Sequence, residues 1–205
     1  MLNYLYNFLT NMSSAILKKL GQNEVDEIIP RLWLGDADAA LNADFLLKNR
    51  IDYIVNCTQT VPVIHDTLNN IENKELTIDQ FKTLCKIDTF RIPVNDSLLE
   101  KDFILMEQYF KIILPLLLRK YTIEKKKILI HCYAGKQRSA ILVAAFLKVL
   151  NDNGYIGLTE IPENNIQKSL QFQQICNFML TKRPQVFTYG YKINFIKTYK
   201  RYFNL

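Results

Sequence analysis

The residues best suited to catalysis lie between His131 and Ser139, where the sequence reads His-Cys-Tyr-Ala-Gly-Lys-Gln-Arg-Ser. A thiol close to a cation such as Arg138 or Lys136 has its pKa lowered toward the thiolate, so Cys132 is a candidate nucleophile. The guanidinium of Arg138 is a planar fork of donors that matches two oxygens of a phosphoryl group. This pattern predicts chemistry at a phosphate ester.

Two predicted elements flank this segment and would position the cysteine. Residues 128–130 form a short apolar run that indicates a buried strand, and residues 140–150 are apolar at nearly every position, which indicates a helix buried on all sides. A strand, a glycine-containing loop over residues 131–139 and a helix N-terminus aim several backbone N–H groups at one point, which makes an anion site. The alternative is a structural core cysteine that only precedes a buried helix.

The other residues of this loop have predicted supporting roles. Ser139 is expected to hydrogen-bond the sulfur and to stabilise it as a leaving group, and His131 is expected to orient the loop rather than to transfer a proton. The phosphoryl oxygens would be held by the backbone N–H groups of the loop and by one guanidinium. The residues concerned are Tyr133, Ala134, Gly135, Lys136, Gln137 and Arg138.

The pattern His-Cys, five residues, Arg-Ser resembles the signature loop of the cysteine-dependent protein tyrosine phosphatase superfamily, and its details resemble the dual-specificity branch. Residues 28–35 are similar to the Ile-x-x-x-Leu-x-Leu-Gly opening of that branch, and residues 54–57 to its Ile-Val-Asn-Cys-like strand. Arg183-Pro184 also resembles the family, although Thr188-Tyr189 replaces the usual Pro-Asn. The resemblance spans residues 27–203.

This resemblance implies a protein phosphatase that hydrolyses phosphotyrosine and phosphoserine or phosphothreonine through a phosphocysteine intermediate, without a metal or an organic cofactor. It also implies a proton donor for the leaving oxygen. In the family this is an aspartate on a loop that follows a strand upstream of the signature, and Asp96 matches that position. Asp102 and Asp88 are less favoured substitutes. Alternatively, Asn95, Asp96 and Ser97 serve as N-caps of the next helix.

Alternating strands and helices without an internal repeat predict an α/β fold, with a central, mostly parallel twisted sheet flanked by helices. Pro115 should kink or break the helix in which it lies. The predicted elements are two short strands around a turn from residue 27, a helix over 36–48, a strand over 52–57, a helix over 77–85, a strand over 91–94, a helix over 102–119, one or two helices within 158–180 and a last helix over 191–203.

The chain of 205 residues, 49% of them hydrophobic, suits one catalytic domain over residues 22–205. Apolar residues near helical spacing predict a separate N-terminal amphipathic helix over residues 1–21. Its apolar face is expected to pack on its own domain, with a homodimer contact or a membrane-surface anchor as alternatives.

Composition and cysteine usage favour an intracellular protein. The four cysteines form no C-x-x-C pair, so neither a zinc site nor a disulfide framework is predicted, and a cytoplasmic or nuclear location follows. No stretch predicts a transmembrane segment. The net charge of +6 is scattered, and the lysines at 125–127 indicate a solvated turn rather than a nucleic-acid patch. Phosphorylated proteins are the expected partners, and no nucleic acid is.

Three other functions stay open. Lys136 within the loop favours a phosphoinositide phosphatase, although Tyr133 stands where such enzymes usually carry a second basic residue. An RNA 5′-phosphatase typically has His-Gly where this loop has Ala-Gly. A catalytically weak module that binds phosphorylated partners is the third. Within the protein phosphatases, a shallow cleft is expected because residues 59–87 carry a single aromatic, Phe81.

Overall fold

The computed structural model describes residues 24–68, 76–97, 99–157, 165–187 and 195–205. This part of the chain contains one five-stranded sheet. Its strands are β1 (Val25–Ile29), β2 (Leu32–Gly35), β3 (Tyr53–Asn56), β4 (Asp88–Arg91) and β5 (Ile128–His131). They lie in the order β1-β2-β5-β3-β4, with β1 antiparallel to β2 and the other neighbours parallel. The predicted mostly parallel sheet is confirmed.

Helices cover both faces of this sheet. They are α1 (Ala37–Leu41), α2 (Ala43–Asn49), α3 (Ile64–Leu68), α4 (Ile78–Cys85), α5 (Glu100–Thr122), α6 (Arg138–Asp152), α7 (Asn165–Lys182) and α8 (Ile196–Tyr202). Side chains alternate between the two faces of a strand, and those of Trp33, Ile54 and Leu129 pack with α1–α4. The residues directly before and after them on each strand lie on the other face and pack with α5–α8. Both faces of the parallel strands are therefore buried.

The predicted helix over residues 36–48 is wrong in one respect, because the structure has two short helices there. Asn42 is the C-cap of α1 and the N-cap of α2, with an extended backbone at φ −84° and ψ 99°. Its side-chain oxygen accepts a hydrogen bond from the backbone N–H of Phe45 at 3.1 Å. An asparagine side chain that satisfies a backbone donor in this way favours a cap over the helix interior.

The predicted strand over residues 91–94 also lies elsewhere, since β4 ends at Arg91. That residue pairs with Asn56, the last residue of β3, and Ile92 donates one further hydrogen bond to the Asn56 carbonyl at 2.8 Å. Two positions after Arg91, Pro93 has no N–H to donate to a sheet.

The helix does not break at Pro115, because α5 continues through it to Thr122, and the alternative kink stays a prediction. A proline in a helix removes the hydrogen bond to the carbonyl four residues earlier, which here belongs to Lys111. Both residues are exposed, so water can solvate the freed carbonyl.

Several other predictions concern segments near the edges of the described residues. The helix predicted over 77–85 is confirmed, with Thr77 as the N-cap of α4. Helix α8 lies within the segment predicted as helical, and α7 continues past the end of its predicted segment to Lys182. Residues 158–164 and 188–194 are outside the described part. The predicted N-terminal helix over residues 1–21 is outside it as well. None of the described helices is long and apolar enough to cross a membrane.

Two neighbouring residues of α5 test the core assignment. Ile113 is fully buried, whereas Ile112 is 58% exposed. Ile113→Ala should lower the free energy of unfolding by about 2–5 kcal/mol, because it removes buried methyl groups and leaves a cavity. Ile112→Ala, the same change at an exposed position of the helix, should stay within about 0.5 kcal/mol. Urea denaturation of both variants measures the difference, and equal losses would contradict the orientation of α5.

Candidate active site

The loop over residues 132–137 connects β5 to α6. It is shorter than the predicted loop over 131–139, because His131 still pairs with both neighbouring strands while Arg138 and Ser139 are already helical. The loop leaves the carboxyl end of β5, which lies between β2 and β3. In open sheets of this kind, ligands bind outside the carboxyl ends of the strands.

Hydrogen bonds from outside hold the loop in one orientation. The bonds are Ala37 N–H to the Tyr133 carbonyl at 3.1 Å, Arg183 Nε–H to the Gly135 carbonyl at 3.0 Å and Phe187 N–H to the Lys136 carbonyl at 2.9 Å. The described peptide bonds are trans, so each carbonyl and the N–H of the following residue point in opposite directions. Carbonyls tied outward therefore turn the next N–H groups toward the inside of the loop.

Gly135 is required at the tightest point of the loop. Its φ of +63° is in the left-handed region, which side chains with a Cβ rarely adopt. A Cβ at this position would lie 2.5 Å from the carbonyl oxygen of Gly35 and 2.7 Å from Nη2 of Arg183. Both the backbone conformation and the close contacts exclude other residues.

The sulfur of Cys132 receives several hydrogen bonds in a buried site. The Ser139 hydroxyl donates to it at 3.1 Å, and the backbone N–H groups of Ser139 and Lys136 donate to it as well. Burial alone would raise the pKa of the thiol. The charge of Arg138 and these hydrogen bonds outweigh that effect, so the pKa of Cys132 lies below the ordinary value of a thiol.

Arg138 lies beside this sulfur, and its Nε makes no hydrogen bond to the described residues. Its Nη1 donates to the carbonyl oxygen of Val94 at 3.0 Å, and its Nη2 lies 3.6 Å from Oδ2 of Asp96. Its Nε is buried and has no hydrogen-bond partner among the described residues. Buried donors are normally paired, so this N–H is well suited to a bound oxyanion.

Asp96 is the predicted proton donor that the structure brings to Arg138. Its side chain is 46% exposed. The N-cap of α5 is Leu99, not Asp96, and it has no side-chain cap hydrogen bond. Of the two substitutes, Asp102 is buried and accepts a hydrogen bond from the Ser97 hydroxyl, and Asp88 pairs with Lys120 at 3.4 Å.

His131 is neutral at pH 7 in this environment. Burial is the main cause that lowers its pKa to about 4, and the charges of Arg91 and Arg138 act in the same direction. Its Nδ1 lies 3.4 Å from the carbonyl oxygen of Cys132, which can only accept, so this nitrogen carries the proton. A ring that stays neutral and touches the loop backbone is suited to orientation rather than to proton transfer.

The other predicted phosphate-binding residues differ in exposure. Tyr133 is exposed, Gln137 is buried, and Lys136 is partly buried. Burial and the charge of Arg183 lower the pKa of Lys136, while Asp36 raises it. Lys136 is thus a cation within the loop, and Asp36 partly balances its charge.

Sequence reasoning gave no role in the site to Arg183 or Asp26. Arg183 is fully buried, forms an ion pair with Asp26 at 2.6 Å and binds the loop carbonyl of Gly135. The only signal for it was the Arg-Pro element at the end of a predicted helix. Nothing in the sequence pattern links it to Asp26, which lies on β1 at the other end of the chain.

The hydrogen bond from Ser139 to the sulfur gives a testable pH dependence. Ser139→Ala removes one donor that stabilises the thiolate, so the pKa of Cys132 should rise. The rate at which iodoacetamide alkylates Cys132, followed by mass spectrometry, increases as the thiol ionises. In Ser139→Ala this increase should occur at a higher pH than in the wild type. Ser97→Ala is the control, because its hydroxyl binds Asp102 instead. An unchanged profile for Ser139→Ala would contradict this role of the hydroxyl.

Comparison with known proteins places this site in context. The family model described as "Dual specificity phosphatase, catalytic domain" matches residues 32–153. Mouse dual specificity protein phosphatase 8 is 26% identical over 120 residues, which are 58% of this chain and 15% of the relative. Human dual specificity protein phosphatase 16 is 32% identical over 126 residues, 58% of this chain and 15% of the relative. Human dual specificity protein phosphatase 22 is 26% identical over 133 residues, which are 65% of this chain and 59% of the relative. The chain spans less than two thirds of each of these relatives.

Solved structures share the fold at low identity. Human DUSP28 has a TM-score of 0.54 and 18% identity, with 88% of this chain and 93% of that chain covered. The Yvh1 phosphatase domain from Chaetomium thermophilum has a TM-score of 0.58 and 17% identity, with 85% and 90% covered. OH1 from the Orf virus, a tyrosine phosphatase described as having triple substrate specificity, has a TM-score of 0.55 and 17% identity, with 88% and 87% covered.

Proposed function

Because the chain belongs to the dual specificity phosphatase catalytic domain family, we propose that it is a cysteine-dependent protein phosphatase that hydrolyses phosphotyrosine and phosphoserine or phosphothreonine. The observation that carries the proposal is the hydrogen-bonded sulfur of Cys132 beside the unpaired Nε of Arg138. A lowered thiol pKa and a free donor for an oxyanion are what attack on a phosphate monoester requires.

In the first step, the Cys132 thiolate attacks phosphorus. A sulfur–phosphorus bond forms while the bond from phosphorus to the ester oxygen breaks, and the electron pair leaves with that oxygen. Asp96 gives it a proton, so an alcohol or phenol departs. Arg138 and the inward N–H groups of the loop hold the three other oxygens, whose charge needs fixed donors in the transition state.

In the second step, water hydrolyses the phosphocysteine. The Asp96 carboxylate takes a proton from the water as its oxygen attacks phosphorus, and the sulfur–phosphorus bond breaks. The electron pair returns to Cys132, where the donors from Ser139 and Lys136 stabilise the leaving thiolate. Inorganic phosphate is released, and the enzyme regains a thiolate and a protonated acid.

The proposed dual specificity rests on an expected shallow cleft. Phe81 lies on the short helix α4, and it is the sole aromatic of the sequence from residue 59 to residue 87. With no second ring in this connection to deepen the pocket, short phosphoserine and phosphothreonine side chains can reach Cys132. Proteins that carry these residues are the proposed substrates.

A substrate panel tests the proposed function directly. Peptides with phosphotyrosine, phosphothreonine or phosphoserine should all release phosphate, and phosphoinositides and triphosphorylated RNA should release little. Faster turnover of phosphoinositides would favour a lipid phosphatase that uses Lys136, and release from the RNA alone would favour the RNA phosphatase. Binding of phosphopeptides without turnover of any substrate would identify a binding module.

Cys132→Ser tests the nucleophile. A serine hydroxyl is not ionised at neutral pH, so turnover of para-nitrophenyl phosphate should fall below detection. Binding of inorganic phosphate, measured by calorimetry, should persist because the loop donors and Arg138 are unchanged. Cys176→Ser is the control, since this buried thiol lies on α7 and not in the loop. Substantial residual turnover by Cys132→Ser would falsify the assignment.

Asp96→Asn tests the acid. The rate should fall by roughly 10²–10⁴-fold, the usual contribution of a positioned acid. The loss should shrink for aryl phosphates whose leaving groups have a low pKa, because these depart without a proton. Asp88→Asn is the matched control, since its carboxylate pairs with Lys120 at the other end of β4. A loss that is the same for every leaving group would assign the acid to another residue.

A further inference from the structure

The geometry points to Arg183 as a positioning residue for the proposed reaction: held by Asp26, it fixes the Gly135–Lys136 peptide so that the N–H of Lys136 faces the Cys132 sulfur. This inference rests on the proposed function only for its effect on turnover. Its effect on the thiol and on anion binding is independent of turnover.

One planar peptide joins Arg183 to the sulfur. The carbonyl of Gly135 accepts a hydrogen bond from Arg183 Nε at 3.0 Å. The N–H at the other end of the same peptide, that of Lys136, donates to Cys132. In a trans peptide these two groups point in opposite directions, so a bond that holds the carbonyl also aims the N–H.

The guanidinium is itself held rigidly. Arg183 is 1% exposed, its Nη1 lies 2.6 Å from Oδ2 of Asp26, and its Nη2 lies 3.4 Å from the carbonyl oxygen of Glu24. A buried cation needs such partners, and the planar fork lets one side chain bind a carboxylate and two carbonyls at fixed angles. The ion pair thus connects β1 to the loop, across 157 positions of sequence.

This peptide needs an external restraint more than the others in the loop do. A glycine occupies positive and negative φ almost equally well, so Gly135 does not by itself fix the orientation of the peptide that follows it. Rotation of that peptide would replace the N–H beside Cys132 with a carbonyl oxygen. The oxygen would repel both a thiolate and a phosphoryl group.

Of the three hydrogen bonds described to the loop carbonyls, this is the one that a side-chain substitution can remove. The Tyr133 and Lys136 carbonyls are tied by backbone N–H groups of Ala37 and Phe187, which no side-chain substitution deletes. The Gly135 carbonyl is tied by a side chain. Replacing Arg183 therefore releases one peptide of the loop and leaves the other two ties in place.

Two variants test the inference. Arg183→Lys keeps a positive charge near Asp26 but lacks the fork that also reaches the Gly135 carbonyl. The double variant Arg183→Met with Asp26→Asn removes both charges, so no unpaired ion stays buried to unfold the chain. Lys148→Met is the control, since Lys148 is a similarly buried cation, 7% exposed, that binds Asp152 and Gln171 away from the loop.

Three readouts separate positioning from stability: urea denaturation, the pH profile of Cys132 alkylation by iodoacetamide, and the affinity for vanadate. In both Arg183 variants the alkylation profile should move to higher pH and vanadate should bind more weakly. kcat/KM for para-nitrophenyl phosphate should fall by about 10²-fold, as expected for a misplaced group. Lys148→Met should lose stability without moving the alkylation profile or the vanadate affinity.

The outcomes are distinct from those for the proposed function. A wild-type protein that turns over no substrate would overturn the proposed function, while shifted alkylation and vanadate binding in the Arg183 variants would still support the inference. Folded Arg183 variants with wild-type alkylation and vanadate profiles would overturn the inference, whatever the wild type hydrolyses. The inference would also be overturned if Lys148→Met shifted these profiles as much as the Arg183 variants do.

Discussion

The planarity of the trans peptide is the constraint on which the loop between β5 and α6 depends. A loop of residues 132–137 has no ladder of its own, so its N–H groups face inward only if its carbonyls are bound from outside. Those bonds come from Ala37 on α1 and from Arg183 and Phe187 beyond α7. Helices from the two faces of the sheet therefore meet at the loop and jointly set its donors.

Burial gives these donors their effect. The Cys132 sulfur and the Arg138 guanidinium both lie in the interior, where a charge without partners is costly. Each charge lowers that cost for the other, and the unpaired Nε of Arg138 leaves room for one more anion. The same environment keeps His131 neutral, so the positive charge is concentrated on the arginine.

Local patterns in the sequence predicted well the strand and the helix that flank this loop. Strand β5 corresponds to the apolar run before Cys132, and helix α6 to the almost continuous apolar stretch after Ser139. Elements that are buried on all sides consist almost entirely of apolar residues, so both could be recognised from the sequence. Asn42 was misread because its capping bond depends on the folded chain. The same is true of the solvent exposure of Pro115, where the helix continues instead of breaking. Arg183 was missed because its partners are distant in sequence.

The separation of Asp26 from Arg183 has a consequence during synthesis. A nascent chain that stops before α7 already contains Cys132 and Arg138, together with the strand and helix that flank them. It lacks the guanidinium that holds the Gly135 carbonyl, and it lacks Phe187, which holds the next one. Contacts between distant parts of a chain form late. The N–H groups of this loop are therefore fully aligned only after the last fifth of the protein, from α7 onward, has docked.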